Sequence, residues 1–119
     1  MKYQELKVWQ KAHQNALEAI DLYKNQHNSK FDLIFKQFIS SITSIGANIA
    51  EGSGDYKGKE FVRFLNIALR SAFETDNWLN VIKDSKIVNC SEDGISVIKV
   101  RNEEVIKMLI KLIHSQNST

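Results

Sequence analysis

The chain has no proline, one cysteine (Cys90) and five glycines among 119 residues. Average usage would supply about six prolines, so nothing here forces a long helix to break. A lone thiol excludes an intramolecular disulfide and suits a reducing compartment, which makes the cytoplasm the expected location. Long apolar runs are missing too. The best candidate, Phe61 to Phe73, is interrupted by Arg63 and Arg70, so no membrane span is expected. Met1 to Lys11 is charged every few residues and has no apolar centre, so it does not read as a signal peptide. An excess of one charge is also lacking: sixteen basic against fourteen acidic residues leave +2. That surplus is too small to mark a nucleic-acid binder by bulk charge.

What is present is helical periodicity. The chain is 43% hydrophobic and 25% charged, and its length suits one domain over residues 1–119. Four segments place apolar residues on one face at about 100° per residue. The first, from about Gln4 to His27, gathers Leu6, Trp9, His13, Ala16, Leu17, Ile20 and Tyr23. Ser29, with Asp32 three residues on, predicts an N-cap for the second. Its stripe is Phe31, Ile34, Phe35, Phe38, Ile42, Ile45 and Ile49, ending at Gly52.

The segment Gly52 to Gly58 (GSGDYKG) predicts the clearest turn. A third helix, about Lys59 to Lys83, carries Phe61, Phe64, Leu65, Ala68, Ala72, Leu79 and Ile82. After a loop near Ser85 to Cys90, Ser91 predicts the cap of a fourth helix with Ile95, Ile98, Val105, Ile106, Leu109 and Ile113. No segment keeps a period of two, so strands are not expected. The fold expected is all-α, an antiparallel up-down-up-down four-helix bundle.

The chemistry-bearing residues do not form a catalytic set. A bundle di-iron centre needs Glu-x-x-His, and the residues three before His13, His27 and His114 are Gln10, Lys24 and Lys111. His13 reads as a packed or edge histidine, and His114 as a cation at a helix C-terminus. Cys90 has no neighbouring base. Gly58-Lys59 is followed by Glu60 and preceded by a helix, which is not a phosphate loop. No enzyme, cofactor or metal is expected.

Lys59, Arg63 and Arg70, with Lys57 just before them, share the side of the third helix away from its apolar face. They form either a solvated face with ion pairs to Glu60 and Glu74 or a phosphate-binding patch with steep salt dependence. The same helix has more apolar residues than one stripe requires. Val62, Leu69 and Phe73 make a second row, and Ile67, Trp78 and Val81 lie on another side. A small bundle has little chain to cover them, so self-association is expected, with Val62, Leu69, Phe73 and Trp78 at the interface.

Residues 44 to 54 read Ser-Ile-x-x-Asn-Ile-Ala-Glu-Gly-x-Gly, followed by Lys59-Glu60-Phe61-x-Arg63-Phe64-Leu65-x-Ile67-Ala68-x-x-Ser71. With the opening Leu6-Lys7-Val8-Trp9-Gln10-Lys11-Ala12, these motifs resemble the four-helix bundle proteins encoded by intervening sequences of bacterial 23S rRNA genes. The resemblance implies a homopentamer with a central channel and no enzymatic activity. More distantly, the chain is similar to the accessory variability determinant of diversity-generating retroelements, a basic pentamer that binds nucleic acid and a reverse transcriptase.

The expectation is therefore a nucleic-acid or ribonucleoprotein accessory, with RNA or DNA and a reverse transcriptase or other protein as partners. The alternative is a protein-interaction scaffold without nucleic-acid contact. Departures from the family weaken the first reading: Ile39 and Ser40 replace an arginine pair and Asp55 a basic residue, each removing positive charge. Gly46 replaces a common proline and bears on the bend of the second helix. Conversely, Arg70 stands where a small residue is usual and bears on helix packing. Asn48, Glu51, Gly52 and Gly54 match the motif's polar and turn positions. Asn48 and Glu51 are expected to satisfy backbone groups where the second helix enters the turn.

Overall fold

In the computed structural model, residues 1–25, 29–87 and 92–117 are described. These described residues form four helices: α1 (Lys7–Asn25), α2 (Asp32–Gly52), α3 (Lys59–Ser85) and α4 (Glu92–Asn117). Single 3-10 turns lie at Tyr3–Glu5, Ser29–Phe31 and Ser53–Asp55. No strand occurs among the described residues, and no helix in them is long and apolar enough to cross a membrane. The cap expected at Ser29 is not where α2 begins. A 3-10 turn intervenes, and Phe31 stands at the cap without a side-chain bond to the helix. The expected roles of His27, Cys90 and Ser91 lie outside the described residues.

The buried positions follow the three-four alternation that keeps a seam facing inward along packed helices. Phe35, Phe38, Ile42, Ile45 and Ile49 do so on α2, and Phe61, Leu65, Ala68, Ala72, Leu79 and Ile82 on α3. On α4 the series is Ile95, Ile98, Asn102, Val105 and Leu109. Helix α1 packs on α2 and α4, and α3 on the same two, around a core to which all four contribute.

On α1 the expected face and the buried one overlap only in part: Ala16 is buried, and Leu6, Trp9 and Tyr23 pack half-buried against the core. Val8, Ala12, Asn15, Ala16, Ala19 and Leu22 are buried, whereas Leu17 is 51% exposed and His13 is also exposed. The bulky residues instead form a flank against α2. There Trp9 stacks on His13 at 4.5 Å between ring centroids, and Tyr3 meets Trp9 edge-on at 5.1 Å. Alanines face the core because small side chains let α1 sit close to its neighbours. A reading weighted by side-chain bulk therefore rotates the stripe.

Polar groups tie neighbouring helices together inside this core. Asn15 Nδ2 donates to the Ile98 carbonyl at 2.9 Å, and Asn15 Oδ1 accepts from Arg101. Asn102 Nδ2 donates to the Ala72 carbonyl at 2.9 Å, and Thr75 Oγ1 lies 3.0 Å from Ser41 Oγ. These contacts link α1 to α4, α4 to α3 and α3 to α2. A slip in register would strand a buried polar atom at each of them, at about 1–3 kcal/mol apiece.

Gly46 lies on the α2 flank, where an added Cβ would meet Trp9 Nε1 at 3.4 Å, an ordinary contact. Gly46→Ala should therefore raise stability by about 0.5–1 kcal/mol through helix propensity alone. Urea denaturation would register this as a higher midpoint at unchanged slope.

Candidate nucleic-acid interface

The turn between α2 and α3 is built by side-chain capping and close approach. Ser53 Oγ donates to the Ala50 carbonyl at 2.7 Å, closing the end of α2. Asp55 then folds over the start of α3: its Oδ2 accepts the Glu60 N–H at 3.0 Å, and its carbonyl accepts the Gly58 N–H at 2.7 Å. A carboxylate here satisfies an orphan donor and complements the positive end of the helix dipole. A Cβ at Gly58 would overlap that carboxylate. None of the described glycines has a positive φ; the left-handed residue of the turn is Lys57, at φ 70°.

Asp55 reads in the sequence as a lost basic residue; in the structure its carboxylate satisfies the Glu60 N–H from outside α3, while Gly58 holds the N-cap position with no side-chain bond of its own. The available signal was an aspartate a few residues ahead of a helix start. Asp55→Ala is expected to cost about 1 kcal/mol. Gly58→Ala acts on the same carboxylate, so the double variant should lose less than the sum of the two in thermal melts.

Asn48 does not reach the turn. Its Nδ2 donates back to the Ser44 carbonyl at 2.8 Å and to Ser44 Oγ at 3.0 Å, and Ser44 Oγ in turn lies 3.0 Å from Ser71 Oγ on α3. It therefore braces α2 against α3 through Ser44. The Glu51 side chain is exposed and has no hydrogen bond or ion pair among the described residues, so the backbone-satisfying role expected for both residues belongs to Ser53 and Asp55. Gly52 is buried against Phe61 and Phe64, while Gly54 has open space around it.

Lys57, Lys59, Arg63 and Arg70 are all exposed. Lys59 opens α3, Arg63 lies one turn on and Arg70 two turns beyond, all on the side turned away from the Phe61–Leu65–Ala68–Ala72 seam. Arg63 is engaged by Glu60 at 3.0 Å and lies 4.5 Å from the centroid of the Phe64 ring. The hydrogen bond from Arg63 holds the Glu60 carboxyl below its ordinary pKa. This pair is solvent-exposed, a setting in which ion pairs contribute little, so an incoming phosphate can compete for the guanidinium. Arg70 makes no ion pair among the described residues.

Of the apolar surplus on α3, Phe73 is 53% exposed, while Val62, Leu69 and Trp78 are half-buried. Leu69 and Trp78 pack on the core, and Trp78 Nε1 donates to Glu74 at 3.1 Å. Trp78 lies on the flank towards α2, away from the row of Val62, Leu69 and Phe73. Among the described residues, no cluster of three or more His, Cys, Asp or Glu could hold a metal ion.

The sequence matches the family described as 23S rRNA-intervening sequence protein over residues 4–111. Among solved structures it is similar to a protein of unknown function from the S23 ribosomal protein family of Bacteroides thetaiotaomicron VPI-5482. Identity is 33% and the TM-score 0.78, covering 89% of this chain and 97% of that one. No curated protein matches the chain.

Proposed function

The chain belongs to the 23S rRNA-intervening sequence protein family, and from that premise we propose that it is a non-enzymatic nucleic-acid or ribonucleoprotein accessory of the cytoplasm. In this reading it is a single up-down-up-down bundle that assembles into a homopentamer and acts with RNA or DNA, alone or beside a reverse transcriptase or other protein. The observation that carries the binding claim is the outward face of α3, where Lys59, Arg63 and Arg70 stand exposed with Lys57 beside them. Repeating that face around an assembly would multiply a modest charge into a phosphate-binding surface. The exposed Phe73 beside the half-buried Val62 and Leu69 supports self-association.

RNA and DNA binding from low to moderate salt tests the claim. The Lys59→Ala/Arg63→Ala/Arg70→Ala variant should bind at least tenfold more weakly, and Glu60→Gln, which frees Arg63 and removes a negative charge, should bind more tightly. No binding at low salt, or no loss in the triple variant, removes the claim. For the assembly, light scattering after size exclusion should give an oligomer; a strict monomer at micromolar concentration contradicts it.

The second reading, a protein-interaction scaffold without nucleic-acid contact, is favoured by one observation: Glu60 already occupies Arg63. Recovery of a protein partner after nuclease treatment, with no nucleic acid retained by the chain itself, would favour it.

A further inference from the structure

The seam between α1 and α4 is laced by opposite charges. Arg101 pairs with Glu18, and Lys11 with Glu104 at 2.7 Å. The contact with Lys11 holds the Glu104 carboxyl below its ordinary pKa. One turn before Lys11 stands Lys7, and two turns after Glu104 stands Lys111. Both line a single groove of about 390 Å3. The groove's lining thus takes a lysine from each helix and no carboxylate. Both lysines are exposed, and neither has an ion-pair or hydrogen-bond partner among the described residues.

Apart from the two lysines and Ser115, the lining of the groove is apolar. Val8 is buried beneath it, and Leu6, Met108 and Leu112 are half-buried, packed on the core with their outer surfaces in the groove. Two like charges in the lining of one groove raise its positive potential, and an anion bound there is attracted by both. The floor decides which anion. A phosphodiester would gain from the lysines but would have to give up hydration over Leu6, Met108 and Leu112. A carboxylate flanked by apolar side chains matches both features. The unbranched Met108 can adjust to the shape of what lies over it.

We propose that this groove is a docking site for a protein segment in which an acidic residue is flanked by apolar ones. The carboxylate is attracted by Lys7 and Lys111, and the apolar side chains cover Leu6, Met108 and Leu112. This is the helix-in-groove mode of recognition with a charge to set its register. The groove is built from α1 and α4, whereas the basic face is on α3, so the two sites are separable.

The test uses the full chain and two fluorescein-labelled amphipathic peptides of equal length. Both carry the same leucine face; glutamates flank it in one and lysines in the other. Fluorescence anisotropy at low salt should show the glutamate peptide binding at least tenfold more tightly than the lysine peptide. Lys7→Glu/Lys111→Glu should invert that preference, and Met108→Ala should weaken the glutamate peptide severalfold, while Lys59→Ala/Arg63→Ala/Arg70→Ala leaves it unchanged. Because residues 7 and 111 are exposed, circular dichroism of the charge-reversed variant should match the parent.

Failure of the glutamate peptide to bind, or equal binding by parent and charge-reversed chains, overturns the proposal. If the charge reversal instead abolishes binding of a single-stranded RNA probe and spares the peptide, the groove is a phosphate site and the proposal fails. If light scattering shows that the reversal changes the oligomeric state, a second copy is the occupant, and the proposal fails in that way.

Discussion

Gly52→Ala is expected to lower stability by about 2 kcal/mol, although alanine is the better helix former. Gly52 has a helical φ of −67°, so its backbone asks for no special residue. Space is the constraint. A Cβ there would lie 2.7 Å from Phe64 Cβ and 3.4 Å from both Phe61 Cδ1 and the Phe61 carbonyl oxygen. Phe64 Cβ is fixed to the α3 backbone, so relief requires the helix ends to part. Overpacking of this kind costs about 1–3 kcal/mol, against a propensity gain of about 1 kcal/mol at most, and the rigidity of the obstacle puts the cost at the upper end. The melting temperature should fall by roughly 8 °C, at about 4 °C per kcal/mol for a chain of this size. Phe64→Ala should give no rescue, since alanine keeps the obstructing Cβ. Gly54→Ala is the control: nothing lies within 4 Å of that position, and a change within about 0.5 kcal/mol is expected.

Phe61→Ala is expected to cost still more, about 3–5 kcal/mol. Its side chain is fully buried at the first inward position of α3, with the Tyr56 ring 5.2 Å away between centroids and Gly52 beside it. Truncation there removes apolar contact where the turn offers little other chain to collapse into the space. A domain of this length holds roughly 6–18 kcal/mol in all, so one such cavity is a large fraction of it. Denaturant unfolding should show a much lower midpoint. Phe73 is the contrasting position. It is 53% exposed, so Phe73→Ala should change monomer stability by less than about 0.5 kcal/mol. Its effect should fall on self-association instead.

The four helices were legible because α2, α3 and α4 bury large residues at alternate spacings of three and four. Phe35, Ile42, Phe61, Leu79, Ile98 and Leu109 announce their faces by size alone. On α1 the signal misleads: its inward positions are mostly alanine and asparagine, while Trp9, Leu17 and Ile20 mark a flank. Asn15, Thr75 and Asn102 are buried polar residues that each have a partner on another helix, the Ile98 carbonyl, the Ser41 hydroxyl and the Ala72 carbonyl, a relation no single segment displays.

At the candidate site, the basic positions were legible from spacing on α3. The Arg63–Glu60 pair follows from the i, i+3 rule. The capping role of Asp55 is carried by its distance from the helix start, which its charge does not reveal. Asn48 shows the same effect. It lies near the end of a helix, yet Ser44, one turn back, offers its amide both a carbonyl and a hydroxyl. The glycines of the turn serve close packing at Gly52 and room for the Asp55 carboxylate at Gly58, where the sequence pattern marks only a helix stop and a turn.

The central claim is that the outward face of α3 contacts phosphates, and the salt dependence of binding to a single-stranded RNA tests it most directly. Each phosphate contact contributes about 0.7 to the slope of log K against log salt on a single strand. Removing Lys59, Arg63 and Arg70 together should therefore flatten the slope by about 2 and weaken binding across unrelated sequences alike. Equal slopes for the parent and the triple alanine variant, with both still folded, would contradict it.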